Sequence, residues 1–239
     1  MKTIKRMAAP MIAAVLCLLI AMSSIPVASA LSAPQAPSKI LYRSDYAIDE
    51  HCLIITPKSA STGFQVQAIN VSGKTTYNKY FKANTKSKEF YKLGNEYIVW
   101  NFHKNIANGQ FYTVKVRAFN ASNYKAGTKP SSAKYSGWTL TYAAETVKGA
   151  KAVRVDKNNI RISWNKTAGA TCYTLRYAFV DNKAVAGGKT VSTTSTKLSK
   201  IGKVSLKNAK KIILEIVPVK LSKYAYHGAD WKFHNLTIK

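Results

Sequence analysis

Acidic residues are scarce in this chain. Ten Asp and Glu stand against 37 Lys and Arg in 239 residues, a formal charge of +27. Paired carboxylates for acid–base chemistry or for hard cations are therefore few and easy to inspect. Cysteine is rarer still, at three, which excludes a scaffold held by several disulfides. With 7 Pro and 12 Gly, collagen-like and proline-rich architectures are excluded too. The four histidines, His51, His103, His227 and His234, do not stand at zinc-ligand spacing. There is no Gly-x-Ser-x-Gly elbow, no Gly-rich phosphate loop and no Arg-Gly-Asp. Beyond residue 30 no apolar run reaches the length needed to cross a bilayer. What is present is 46% hydrophobic and 11% aromatic, far too rich for a disordered chain.

The first thirty residues read as an address. Lys2, Lys5 and Arg6 precede the apolar run Met11 to Met22, and Ala28-Ser29-Ala30 follows. Positive start, short apolar core and small residues are the parts of a secretory signal, with cleavage expected after Ala30. The exported chain then carries 34 basic and 10 acidic residues, a net +24. It is expected to have no transmembrane segment and to be secreted, or held at the cell wall without a covalent anchor.

The remainder is rich in short runs of period two, such as Tyr112-Thr-Val114-Lys-Val116-Arg-Ala118, whose alternate residues are apolar on one side and charged on the other. Such runs, separated by Gly, Asn and Ser, predict half-buried strands and an all-β sandwich. The pattern occurs twice. Ile55 to Val66 aligns without a gap on Trp164 to Leu175, an offset of 109 residues. Ile106 and Tyr112 align on Leu206 and Ile212, where the offset has fallen to 100. After the signal at 1–30, the repeat predicts a short segment at 31–37, one domain at 38–143, a linker at 144–146 and a second domain at 147–239. The linker is too short for free swinging.

Several of these residues carry a family resemblance. Ile160-Arg-Ile162-Ser163-Trp164, then Tyr173, Leu175 and Tyr177, resemble the second and third strands of fibronectin type III modules. Ile106 to Tyr112 and the strand through Asn120 resemble the entry to the sixth strand and that strand itself. Tyr135-Ser-Gly-Trp138 and the turn Ala168-Gly-Ala-Thr171 are similar to the variant found in secreted bacterial proteins. The resemblance covers nearly all of residues 38–239 and implies two immunoglobulin-like (fibronectin type III) β-sandwiches in tandem. It implies no cofactor and no catalytic centre. Each copy departs from the pattern: Ile55 stands where the second copy has Trp164, and Ile212 stands where the first has Tyr112. Pro218 removes a strand donor, so the final strands of the second sandwich are expected to be irregular.

The only acidic cluster, Asp45, Asp49 and Glu50, lies between the first two strands of copy one, where a solvated loop end is expected. No metal site is expected from it. Cys52 is expected to face outward, and Cys172 precedes an inward Tyr173. One in each domain, they are too far apart for a bridge.

Charge is thus the main functional signal. Split after Glu145, the first part of the exported chain carries 15 basic and 6 acidic residues and the second 19 and 4. Of the 34 basic residues beyond Ala30 only Arg43, Arg117, Arg154, Arg161 and Arg176 are Arg, so the coat is mostly Lys, a point charge suited to loose capture of repeating anions. The candidate residues are Lys74, Lys79, Lys82, Lys86 and Lys88 in the first domain, and Lys197, Lys200, Lys203, Lys207, Lys210 and Lys211 in the second. Tyr77 and Tyr80 are candidate aromatic contacts. Three functions fit. The first is a non-enzymatic adhesion module at the bacterial cell envelope that takes teichoic acid or an acidic cell-wall or extracellular polysaccharide. The second is an accessory module or enzyme acting on extracellular glycans. The third is an extracellular nucleic-acid binder. Protein partners are a further expectation.

Overall fold

The computed structural model describes residues 31–45, 50–107, 109–221, 226–228 and 233–239. Ala30, Asp49 and Trp231 lie outside the described residues, as do the side chains of Asp45, Glu50, His51 and His227. Apart from one 3-10 turn at Phe102–Asn105, every described element is a strand. No helix among the described residues is long and apolar enough to cross a membrane.

The first sandwich faces one sheet against another. Strands β1 (Lys39–Asp45), β2 (Glu50–Thr56), β5 (Phe90–Leu93) and β6 (Glu96–Val99) form a sheet in the order β1-β2-β6-β5. The other is built on β4 (Thr75–Lys82), β3 (Gly63–Ile69) and β7 (Phe111–Asn120). Its far edge is completed by β8 (Lys134–Tyr135) and β9 (Thr139–Ala144), both paired with β7. Alternation decides what each strand buries. Val114, Val116 and Ala118 enter the core, while Lys115 and Arg117 stay on the outer face. Where the second copy has Trp164, Ile55 is fully buried. Aromatic bulk comes instead from Phe64, Phe81, Phe90 and Tyr97, with Phe81 and Phe90 stacked at 4.6 Å. Tyr112, the corner tyrosine, accepts a hydrogen bond from the Ala107 N–H at 2.9 Å, which ties the loop before β7 to its strand.

The second sandwich has the same plan with a smaller first sheet. Strands β10 (Lys151–Arg154), β11 (Ile160–Ser163) and β15 (Ser195–Leu198) pair in that order. Opposite them, β12 (Cys172–Val180) lies between β18 (Lys211–Leu221) and the short β13 (Lys183–Ala184) and β14 (Gly188–Val191). A hairpin of β16 (Lys200–Ile201) and β17 (Val204–Ser205) joins β15 to β18. Trp164 packs edge-on against Tyr173 at 5.3 Å in a core with Ile160, Ile162, Leu175 and Ile212.

The outer edge of β18 is met by two pieces, β19 (Tyr226–Gly228) and β20 (Phe233–Thr237). Val219 gives its carbonyl to Thr171 N on the β12 side at 2.8 Å. Successive residues of a strand alternate their polar groups, so Pro218 turns its nitrogen toward the other side. There, among the described residues, no strand pairs with Ile216–Pro218, and the missing donor is not needed.

No free linker separates the sandwiches. β9 continues to Ala144, Glu145 accepts the Tyr42 hydroxyl proton at 2.7 Å, and Val147 is already buried in the second core. Phe111 N donates to Ala168 O at 2.8 Å and Ala168 N to Gly109 O at 2.7 Å. Around this main-chain clasp Phe111, Ala144 and Val217 make a small core of their own. Gly169, with φ +82°, closes the turn at this clasp. A Cβ there would sit 3.1 Å from Val71 and in a backbone region that side chains avoid.

Candidate functional site

The eleven candidate lysines fall into two sets, one per sandwich. Lys74 sits in the turn that opens β4, Lys79 and Lys82 lie on that edge strand, and Lys86 and Lys88 lie in the loop after it. Side chains of this sort on an edge also keep it from pairing with other chains. In the second sandwich Lys197 projects from β15, and Lys200 and Lys203 belong to the β16–β17 hairpin. Lys207 and Lys210 precede β18, and Lys211 begins it.

Tyr77 requires a correction. It is 6% exposed, with its ring edge-on to Phe102 at 5.4 Å, so it offers no face to a ligand. Burial, with the neighbouring Glu89 carboxylate second, pushes its phenol far above the usual range. Tyr77 and Phe81 occupy the inward positions of β4, and the strand's aromatic pattern is core packing. Lys79 shares their side of the strand but escapes at the edge to pair with Glu89. Tyr80 does point outward, half-buried against Phe119 at 6.2 Å. With Lys79, Thr85, Ser87 and Glu89 it lines a hollow of about 370 Å³. The structure thus brings Lys79 and Tyr80 together, but Lys79 is already neutralised.

Cys52 is a second correction. It alternates with the inward Leu53 as expected, yet it is 5% exposed. Neither it nor the half-buried Cys172 is in a disulfide.

Carboxylates are uniformly engaged. Of the six whose side chains are described, Glu89 holds Lys79 and Glu96 accepts the Thr56 hydroxyl at 2.9 Å. Glu145 takes Tyr42, and the buried Glu215 faces Arg176 at 3.5 Å. Asp181 accepts the main-chain N–H of Lys210 and Lys211. Asp156 organises the β10–β11 turn. The Asn159 side chain first, then the Asn158 N–H and Lys197, hold its carboxyl down at about 2. No three His, Cys, Asp or Glu among the described residues converge on a metal position.

Sequence reasoning missed a cluster on the outer face of the β3–β7 sheet. Arg117 lies 3.7 Å from the Tyr135 ring and 4.4 Å from that of Trp138, and its Nε donates to Gln65 Oε1 at 2.7 Å. Gln65, 2% exposed, in turn donates to Asn78 at 2.8 Å. The alternation of Lys115 and Arg117 marked this face. The partners could not be read because the register of β8 and β9 depends on the long loop after β7.

No protein-family model matches this chain. No curated protein matches it either. Among solved structures, the chain is similar to a segment of two fibronectin type III domains from chicken tenascin. The identity is 15%, with 85% of this chain and 99% of that one covered, at a TM-score of 0.31.

Proposed function

We propose that this protein is an exported, non-enzymatic binding module of the bacterial cell envelope, whose lysine coat captures anionic polymers such as teichoic acid or acidic polysaccharide. One observation carries this reading: all six carboxylates with described side chains are held by groups of the protein itself, so most of the lysine charge has no internal counterpart. Lys74, Lys86, Lys88, Lys200, Lys203, Lys207 and Lys210 are exposed. Such a field gathers polyanions and speeds encounter with them. Lysine near an anionic surface contributes about 1 kcal/mol each, reduced by salt. The burial of Tyr77 removes one of the two stacking platforms a nucleic-acid reader would use.

The test is passage over immobilised teichoic acid and heparin in dilute buffer. Retention that collapses on raising salt from about 50 to 200 mM is expected, as for polyanion binding generally. Elution in the void volume at low salt rejects the reading.

A further inference from the structure

The face of the second sandwich that turns away from its core holds a groove of about 520 Å³ between β10, β11 and the β14–β15 connection. That volume lies within the range of ligand sites. Its walls come from two cross-strand rows. Lys151, Ser163 and Ser195 are in register across the three strands, and so are Val153, Arg161 and Lys197. Lys151 and Arg161 stand in neighbouring rows as diagonal neighbours, about 7–8 Å apart, and both line the groove.

Two features distinguish this groove from the lysine coat. The first is electrostatic. Lys197 is drawn aside to Asp156 at 3.0 Å. Asp156 is itself occupied by the Asn158 and Asn159 N–H groups and the Asn159 amide. Arg161 and Lys151 are left exposed with no ion-pair partner among the described residues. The second is chemical. A guanidinium offers a planar fork that matches a carboxylate with two parallel hydrogen bonds, where lysine offers only charge. Around the fork stand the hydroxyls of Ser163 and Ser195, and Val153 is 39% exposed. Hydroxyls to meet hydroxyls, an apolar spot for the C–H face of a ring, and a fork for a carboxylate together describe one unit of an acidic sugar chain.

We propose that this groove binds a carboxylate-bearing polysaccharide, with Arg161 holding the carboxylate and Lys151 supplying the second charge. The proposal deepens the polyanion reading and rests on it. A polyol phosphate has no ring face to lay on Val153. A single-stranded nucleic acid would need an exposed aromatic platform, and Trp164, the only aromatic of the wall, is 5% exposed.

The experiment is calorimetric titration of the purified protein at low salt with an oligogalacturonate and, separately, with poly(glycerol phosphate). Arg161→Gln, Arg161→Lys, Lys151→Gln and Lys183→Gln are compared; Lys183 is an exposed residue of β13, on the opposite sheet. All three positions are exposed, so the core is untouched. Losing the fork is expected to weaken oligogalacturonate about tenfold, and Arg161→Lys to recover less than half of that on a logarithmic scale. Lys151→Gln is expected to cost about threefold and Lys183→Gln less than about twofold. Equal losses at Arg161 and Lys183 overturn the groove and leave the diffuse coat standing. Tighter binding of poly(glycerol phosphate) overturns the assigned ligand. Absence of binding to both polymers in every protein, wild type included, overturns the function on which the groove depends.

Discussion

Arg117 shows how a charge becomes structural. Its guanidinium stacks between two rings and satisfies a buried amide, so removing it leaves the Gln65 carbonyl unpaired within the sheet surface. Arg117→Ala should lower stability by about 2–4 kcal/mol, from the lost charged hydrogen bond and the lost cation–π contacts. Arg117→Lys should restore less than half, because an ammonium cannot stack and donate along the plane at once. Urea midpoints at constant slope would measure both. Tyr177 supplies a pH signature. Burial raises its phenol from 10.0 to about 12. Between those values the unfolded chain releases a proton that the folded chain keeps, so stability is complete below pH 10 and falls as pH rises toward 12. Tyr177→Phe should flatten that part of an alkaline stability profile. An unchanged slope would assign it to other groups. At the acid end Asp156 has the opposite sign: its contribution is present above about pH 4 and disappears as pH falls through 2.

Among the elements, β4 and β7 show what alternation does and does not decide. Reading β7 as one apolar and one charged face is enough to place Val114, Val116 and Ala118 inside. In β4 the same rule places Tyr77, Lys79 and Phe81 on the inward side, and the lysine reaches solvent because an edge strand lets its chain escape. The junction between sandwiches is an element in its own right, built on Phe111, which is 1% exposed, and on two main-chain bonds to Ala168 and Gly109. Phe111→Ala should cost about 3–5 kcal/mol through the cavity it leaves. Because that cavity opens at the junction, calorimetry should resolve two unfolding transitions in the variant where the parent shows one. A single transition in the variant would mean that the main-chain clasp alone couples the sandwiches.

For the whole molecule, repulsion within a chain of net +27 opposes the compact state. Moderate NaCl should therefore raise Tm at neutral pH by a few degrees, as the Debye length shrinks to about 8 Å near 0.15 M. A Tm independent of salt would show that the charges are spaced beyond mutual influence. Engagement of the carboxylates is a property of this scale as well. Asp156 and Asp181 could be named from the sequence, but their occupation by turn and strand N–H groups appears only when the chain is folded.

Period-two hydrophobicity and the repeat at an offset of 109 residues were sufficient for the all-β class and the doubled sandwich, because both are patterns written along the chain itself. The excess of lysine over acid was equally plain, and the proposed class of partner rests on it. Tertiary structure alone decided that Tyr77 is core, that Cys52 is covered, that Lys197 is spent on Asp156, and that Arg161 and Lys151 stand unpaired across one groove. The reason is register: which residues of neighbouring strands stand opposite one another depends on loop length and on the packing of two sheets, and neither is written in the alternation of any single strand.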